Sequence, residues 1–410
     1  MTAAPCRFCG APLEHVVVDL GMSPLANRYV AAAQLGDPER FYPLRVYVCG
    51  RCWLMQLPEA ESAADIFGEY AYFSSYSRTW LAHARDYAAM AVRRFALAPT
   101  GRVVEVASND GYLLQYFRAQ GLPVLGIEPA ANVAAAAEAR GIPTRVEFFG
   151  RATAERLVAE GIRADLLVGN NVFAHVPALN DFAAGLATLL APRGVLTLEF
   201  PHLLRLIAEN QFDTIYHEHV SYFSLATAAA VLAAHGLTVF DVDELPTHGG
   251  SLRVYARHAG DASRPRTDAV EALLARERAA GLLERAPYRA FGEAITEVKR
   301  SLLEFLIAAR REGKTVVGYG AAAKGNTLLN YCGIRGDFLD YTVDRSPHKQ
   351  GRFLPGTRLP IHHPDRVAET RPDYLLILPW NLKDEIAEQM ADIRDWGGQF
   401  VVPIPGVKVF

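Results

Sequence analysis

Four of the five cysteines stand in two pairs, Cys6/Cys9 and Cys49/Cys52, each a C-x2-C step. Such a step turns two thiolates toward one point, and two steps complete the tetrahedral sulfur set that Zn²⁺ accepts. Four sulfurs leave no open coordination position, so the spacing predicts a structural Zn²⁺ rather than a catalytic one. Two disulfides or a redox C-x-x-C pair use the same spacing, and a cytosolic setting disfavours the disulfides. The loop between the pairs is longer than in a short zinc ribbon. Cys332 stands alone and reads as a small core residue.

A second concentration of chemistry is Tyr216-His217-Glu218-His219, with Tyr222 close behind. In an extended segment His217 and His219 would share a face. A histidine titrates near neutral pH and can take a proton, a carboxylate beside it can orient it, and a tyrosine can stabilise a developing oxyanion. H-E-H is not the H-E-x-x-H zinc motif, and no helix-spaced third ligand accompanies it, which leaves a metal as the minor reading. A hydrogen-bonded buried cluster without catalysis is the bland one. Asn171 and His175, in Asn171-Val-Phe-Ala-His175, add an amide and an imidazole upstream.

Two loops read as ligand turns. In Glu105-Val-Ala-Ser108-Asn109-Asp110-Gly111 an acid, small residues and a glycine follow a strand pattern. The next strand ends at Glu128-Pro129 and a third at Asn170-Asn171. Open α/β sheets bind ligands at this carboxyl edge, and a carboxylate there can accept both hydroxyls of a ribose. The pattern lacks the tight G-x-G-x-x-G turn for a pyrophosphate, so it fits an adenosyl ligand without phosphates, S-adenosylmethionine (SAM). The other loop, Gly318-Tyr-Gly320-Ala-Ala-Ala323-Lys324-Gly325-Asn326, is a passable dinucleotide fingerprint with Asp344 at the next strand end. Lys324 at a helix start equally suits a diphosphate.

These turns need elements to hold them. Trp80, Ala84, Tyr87, Ala88, Ala91 and Phe95 recur at helical spacing over 78–98. From Arg102 the pattern alternates: strands at 102–107, 124–127, 165–168 and 194–199, helices at 112–120, 132–140 and 180–190, then closing strands at 237–240 and 251–255. That alternation predicts a doubly wound parallel sheet. Residues 259–312 read as linking helices. A second α/β lobe starts at Thr315, with strands at 341–343 and 374–378 and helices near 323–331 and 383–395. The expected fold class is therefore α/β multidomain, with a zinc-binding module at 1–70, a Rossmann-like methyltransferase domain at 71–260 and a Rossmann-like C-terminal domain at 261–410. A tyrosine-rich stretch, Tyr70 to Tyr76, joins the first two.

The chain has 410 residues, half of them apolar, and a formal net charge of −3. These proportions exclude a disordered or fibrous chain. No basic field draws it to nucleic acid, no 18-residue uncharged apolar run crosses a membrane, and the N-terminus lacks a signal-peptide pattern. A cytoplasmic protein is the expectation.

The paired cysteines, the Glu-Val-Ala-Ser-Asn-Asp-Gly loop, the Tyr-His-Glu-His block and the Gly-Tyr-Gly-Ala-x-Ala-Lys-Gly-Asn loop occur together, in this order. Over nearly its whole length the chain resembles the three-domain, SAM-dependent sugar C-methyltransferases that act on nucleotide-linked 4-keto-deoxysugars. The resemblance implies methylation at C3 of a dTDP-linked sugar, within deoxysugar and antibiotic biosynthesis. It implies His219 as base, with Tyr216, Glu218, Asn171, His175 and Tyr76 positioning the sugar and stabilising an enolate. It matches Cys6, Cys9, Cys49 and Cys52 to the family's zinc ligands. Glu105, Ser108, Asn109, Asp110, Gly111, Glu128, Pro129 and Asn170 fall to SAM. His217, Tyr222, Lys324 and Asn326 fall to the nucleotide-sugar. The rival readings are an O- or N-methyltransferase on a similar sugar, an NAD-dependent sugar oxidoreductase using the Gly318 loop, and a non-catalytic zinc-bearing binding protein. Oligomeric state is not legible.

Overall fold

The computed structural model describes residues 4–62 and 73–410. Tyr70 and Tyr72, and the boundary at 70/71, lie outside the described residues. The chain forms two compact units, each assembled from three segments. The first comprises Met1–Glu14, Cys49–Leu203 and Val220–Leu283, the second His15–Val48, Leu204–His219 and Glu284–Phe410. The segment carrying Tyr216–His219 thus belongs to the second unit, with the C-terminal lobe.

In chain order the strands are β1 (His15–Ser23), β2 (Tyr42–Val48), β3 (Met55–Gln56), β4 (Val103–Val106), β5 (Val124–Ile127), β6 (Thr144–Arg145), β7 (Ala164–Asn170), β8 (Leu190–Pro201) and β9 (Ser221–Tyr222). They continue with β10 (Leu237–Leu245), β11 (Ser251–His258), β12 (Val316–Tyr319), β13 (Thr342–Val343), β14 (Ile361–His362), β15 (Tyr374–Ile377), β16 (Gln399–Val402) and β17 (Lys408–Val409).

The first unit is built on a seven-stranded sheet of order β10-β11-β8-β7-β4-β5-β6. Strands β6, β5, β4, β7 and β8 run parallel, and β11 and β10 close the edge antiparallel. All four residues of β4 are buried, as expected for a strand covered on both faces. The chain leaves β4 toward β5 and β6, then returns to β7 on the other side. That reversal opens a crevice at the carboxyl ends of β4 and β7, where doubly wound sheets bind ligands.

Helix Arg78–Phe95 covers one face through Trp80, Ala84, Tyr87, Ala88, Ala91 and Phe95, the six residues the spacing singles out. Ser77 caps it by accepting from the Trp80 N–H, and Ala96 ends it in the left-handed region. The β3–β9 ladder ties the cysteine pairs into the same unit.

The second unit repeats the design. Its sheet has the order β14-β13-β12-β15-β16-β17, parallel except for β17. The chain reverses between β12 and β15, so this crevice sits at the Gly320 turn. The β1–β2 hairpin and helix Ala286–Arg311 belong here as well. Pro287 lies in that helix's first turn, where a missing N–H costs no bond. The helix expected over 383–395 divides at Met390 into an α-helix, Lys383–Gln389, and a 3-10 stretch, Ala391–Trp396. There the bonding tightens to i→i+3, from the Ile393 N–H to the Met390 carbonyl.

Candidate functional site

The two cysteine turns are copies of one another. In the first, the Gly10 N–H donates to the Cys6 carbonyl at 2.9 Å and the Cys6 N–H to Ala11 at 2.7 Å. In the second, Trp53 donates to Cys49 at 3.0 Å and Cys49 to Leu54 at 3.0 Å. The residue after each pair is left-handed, Gly10 at φ 73° and Trp53 at φ 62°. The second knuckle therefore holds a tryptophan in the conformation that glycine adopts freely.

The four Sγ atoms lie within 4.8 Å of one another, with Cys6–Cys52 and Cys9–Cys49 at 3.5 Å. Those spacings fit sulfurs about 2.3 Å from a common tetrahedral zinc. The Cys52 S–H bond pulls the Cys6 thiol down to about 4, aided by the Cys9 and Phe8 N–H groups. The Gln56 amide also donates to Cys6 Sγ at 3.1 Å, an outer contact that orients the ligand.

At the crevice of the first sheet, the turn after β4 carries a run of positive φ values: Ala107 at 55°, Asn109 at 50° and Gly111 at 76°. Asn171, after β7, is at 53°. Strained backbone of this kind collects at ligand sites. A Cβ on Gly111 would meet Ile142 Cγ1 at 2.9 Å, so the turn packs closely on the loop that leads into β6.

Several acceptor atoms here lack a well-placed donor among the described residues, although Asp110 Oδ2 accepts from Arg140 Nη1 at 2.8 Å. Both oxygens of Glu105, Ser108 Oγ, and Oδ1 of Asp110, Asn170 and Asn171 are buried without a well-formed hydrogen bond among the described residues. Burial pushes the Glu105 carboxyl well up, and Glu128 and Asp110 reinforce this against the nearby Tyr112 hydroxyl. Glu128 is also raised by burial, while the Ala130 and Asn109 N–H groups, at 2.9 and 3.0 Å, oppose it. A carboxylate offers roughly four lone-pair sites, so Glu128 can still accept from a ribose. Asn109 Oδ1 accepts from the Ser74 N–H at 2.8 Å. Pro129 lies between Glu128 and helix Ala131–Ala139.

Such a surface suits a ligand rich in N–H and O–H donors and bearing positive charge. SAM has an ammonium, a sulfonium, two ribose hydroxyls and an adenine amine. A pyrophosphate would instead meet the acceptor oxygens of Glu105 and Glu128, while Arg140 Nη1, the nearby cation, is taken by Asp110 Oδ2 at 2.8 Å. Glu105, Ser108, Asp110, Glu128 and Asn170 are the residues that would hold SAM, which supplies an electrophilic methyl group.

One wall of this crevice carries residues that spacing did not reveal. Fully buried Glu199, at the end of β8, accepts from His83 Nε2 at 2.9 Å, Arg253 Nη2 at 2.6 Å and Thr247 Oγ1 at 3.0 Å. Burial alone would raise Glu199, but the His83 bond and the Arg253 charge outweigh it and hold the carboxyl below its ordinary value. Trp80 stacks on His83 at 4.9 Å and on Tyr112 at 5.9 Å. His248, at φ 55°, meets Asn171 Nδ2 at 3.3 Å. His83, Glu199 and the neighbouring pair His248 and Arg253 come from three separate stretches of the chain, and no local signal links them. Tyr76 is exposed in a short 3-10 turn, His175 ends another, and Tyr222 is buried in β9. These three also lie in the first unit.

In the second unit, Tyr216–His219 is a tight turn closed by the His219 N–H on the Tyr216 carbonyl at 2.9 Å, not an extended segment. The turn separates the two histidines. His217 is packed edge-on to Tyr42 at 5.8 Å, and burial lowers its pKa. Alternation predicts a shared face only if the backbone is extended, and here it reverses.

Two hydrogen bonds orient the His219 ring. Its Nδ1 lies 2.8 Å from the Thr214 carbonyl and its Nε2 2.9 Å from the Tyr216 hydroxyl. A carbonyl only accepts, so Nδ1 carries the proton and the Nε2 lone pair faces the Tyr216 hydroxyl. Glu218 Oε1 accepts from Asn27 Nδ2 at 2.7 Å, a partner from between β1 and β2 that the sequence reading missed.

The Gly318–Asn326 loop packs closely on the protein at its turn, while Asn326 Oδ1 is buried without a well-formed bond among the described residues. A Cβ on Gly320, at φ 99°, would lie 2.5 Å from Pro379 Cδ. Asp344 accepts from the Ala321 and Ser346 N–H groups at 2.8 Å each, with Lys349 Nζ at 3.5 Å. These contacts occupy the turn and the acid that an NAD reading requires. The sequence reading puts Lys324 and Asn326 at a diphosphate. Lys324 Nζ lies 5.2 Å from the Trp380 ring centre, its pKa lowered by burial and held up by Asp213, and Asn326 Nδ2 donates to Ala26 at 2.6 Å.

Comparison with known proteins agrees with the sheet and the cysteine cluster. Residues 6–67 match a family model for a zinc-binding domain, 80–242 one for a methyltransferase domain, and 246–405 one for a C-methyltransferase C-terminal domain. C-methyltransferase NovU of Streptomyces niveus is 38% identical over 404 residues, 98% of this chain and 96% of that protein. Among solved structures, a DhpI–SAH complex is 22% identical over 46% of this chain and 92% of that one, with a TM-score of 0.33. Magnesium protoporphyrin IX methyltransferase of Synechocystis PCC 6803 with bound SAM is 14% identical over 47% and 88%, also at 0.33. Scores of that size leave the fold to the sheet order and the family models. On identity held along almost its full length, the chain belongs to the family of zinc-module, SAM-dependent C-methyltransferases that includes NovU.

Proposed function

We propose that the enzyme methylates C3 of a dTDP-linked 4-keto-deoxysugar, with His219 as the base. The observation that carries this reading is the His219 geometry: a proton held on Nδ1 by Thr214 and a basic Nε2 at the Tyr216 hydroxyl. Carbon methylation needs such a group, because a C–H bond must be broken before carbon can attack. The 4-ketone acidifies the neighbouring C3–H. His219 takes that proton, directly or through the Tyr216 phenol, and the C–H electrons move into an enolate. C3 then forms a bond to the methyl group of SAM, and the sulfonium–methyl electrons return to sulfur.

Glu218, held by Asn27, favours the imidazolium that forms. Tyr216, Asn171, His175 and Tyr76 are proposed to position the sugar and stabilise the enolate oxygen. Methylation on oxygen or nitrogen would need no carbon base.

The test is His219→Gln. Carbon transfer should fall by about 10²–10⁴-fold, with SAM affinity unchanged by calorimetry. Solvent deuterium should enter C3 without SAM in the native enzyme and not in the variant. Near-native turnover in the variant would remove the base assignment. Among the described residues no helix is long and apolar enough to cross a membrane, and the cytoplasm is the proposed compartment for a nucleotide-sugar substrate.

A further inference from the structure

His219 depends on the Thr214 carbonyl, and that carbonyl leaves a 3-10 turn, Phe212–Thr214, with all three residues buried. Two contacts from the C-terminal lobe hold the residues that flank this carbonyl. The Trp380 indole N–H donates to Asp213 Oδ2 at 2.8 Å, and the Thr327 hydroxyl donates to the Ile215 carbonyl at 3.1 Å. They grip the residues immediately before and after Thr214. Asp213 is 1% exposed and Thr327 2%, so water does not compete for either contact. Trp380 follows Pro379 in the crevice between β12 and β15, and Thr327 lies in helix Ala323–Cys332, which starts from the glycine loop.

We propose that Trp380, Asp213 and Thr327 are positioning residues that set the tautomer of the base. By fixing where the Thr214 carbonyl points, they keep the His219 proton on Nδ1 and the lone pair on Nε2. The glycine loop that elsewhere cradles a phosphate thus serves to place Thr327 and Trp380. A free imidazole exchanges its proton between the two nitrogens, and only the Nδ1–H form presents Nε2 as a base. This inference rests on His219 being the base, and its readout is independent of turnover.

The experiment is ¹⁵N NMR of histidine-labelled full-length enzyme, with the His219 signal identified by its loss in His219→Gln. The native protein should show the Nδ1–H tautomer. Trp380→Phe keeps the ring and removes the donor, and Thr327→Val keeps the shape and removes the hydroxyl. Each should shift His219 toward a tautomer mixture and lower kcat on the order of tenfold, with KM for SAM unchanged and the acidic limb of the pH–rate profile displaced. Thr327→Ser restores the hydroxyl and should behave as native. If Trp380→Phe does not fold, the Thr327 pair decides alone. A native tautomer and pH limb in every folded donor-less variant would overturn the proposal, even if stability fell. A tautomer change in either variant supports it. Loss of the base assignment itself would show separately, as an active His219→Gln enzyme.

Discussion

The two units offer the same topological opportunity and use it differently. Each sheet reverses direction about its first strand and opens a crevice at the carboxyl ends, beside β4 and β7 in one and beside β12 and β15 in the other. In the first, the crevice is lined by buried oxygens with no well-formed bonds, from Glu105, Ser108, Asp110, Asn170 and Asn171. In the second, Pro379 lies against the Gly320 turn, Asp344 is spent on two N–H groups, and Trp380 reaches to Asp213. A crevice is therefore not a ligand site by topology alone. Polar groups left unsatisfied mark the one kept for a ligand, since burying them uncompensated is costly. In the second, Asp213 Oδ1 and Asn326 Oδ1 are also buried without a well-formed bond among the described residues, but the turn after β12 and the acid at the next strand end are bonded within the protein.

The contrast can be broken most severely at its glycines. Gly320→Val forces a Cβ into Pro379 from a positive φ and should destabilise the fold by about 3 kcal/mol, read in chemical denaturation. SAM affinity should change little as long as the protein is folded. A loss of SAM affinity with native stability would mean that the second crevice holds the cofactor after all.

A smaller effect belongs to the first crevice. Asn170→Ala should weaken SAM binding about tenfold by calorimetry, the worth of one good hydrogen bond. Asp344→Asn should leave SAM affinity unchanged. Equal effects of the two substitutions would erase the distinction between the crevices.

The mildest test is the pH dependence of stability in the cofactor-free protein. Burial raises the Glu105 pKa in the folded state above its unfolded value. Its contribution is therefore fully present below the ordinary glutamate range and is lost as pH rises toward the raised value. Glu105→Gln should flatten that part of the stability profile. An unchanged slope would show that Glu105 is not held neutral by burial.

Sequence reading reached the zinc ligands, the α/β class and the order of the loops because these are local. C-x2-C spacing dictates a knuckle, and uninterrupted apolar runs dictate buried parallel strands. It also found the six buried residues of helix Arg78–Phe95, since 3.6-residue periodicity survives whatever the helix packs against. It did not reach Asn27 on Glu218, the Glu199–Arg253–His83 node or Trp380 on Asp213. Each joins residues from separate stretches of chain, and no periodicity encodes such a meeting. The face-sharing of His217 and His219 failed for a related reason, because two residues apart means one face in a strand and not in a turn.

The chain by itself therefore determined which chemical groups the enzyme owns and the elements that carry them. Backbone propensity and metal-ligand spacing act over a few residues and are written locally. Tertiary structure alone decided which groups remain available. Whether a carboxylate or a glycine turn faces a ligand or a neighbour depends on long-range packing and desolvation, which exist only once the chain has folded.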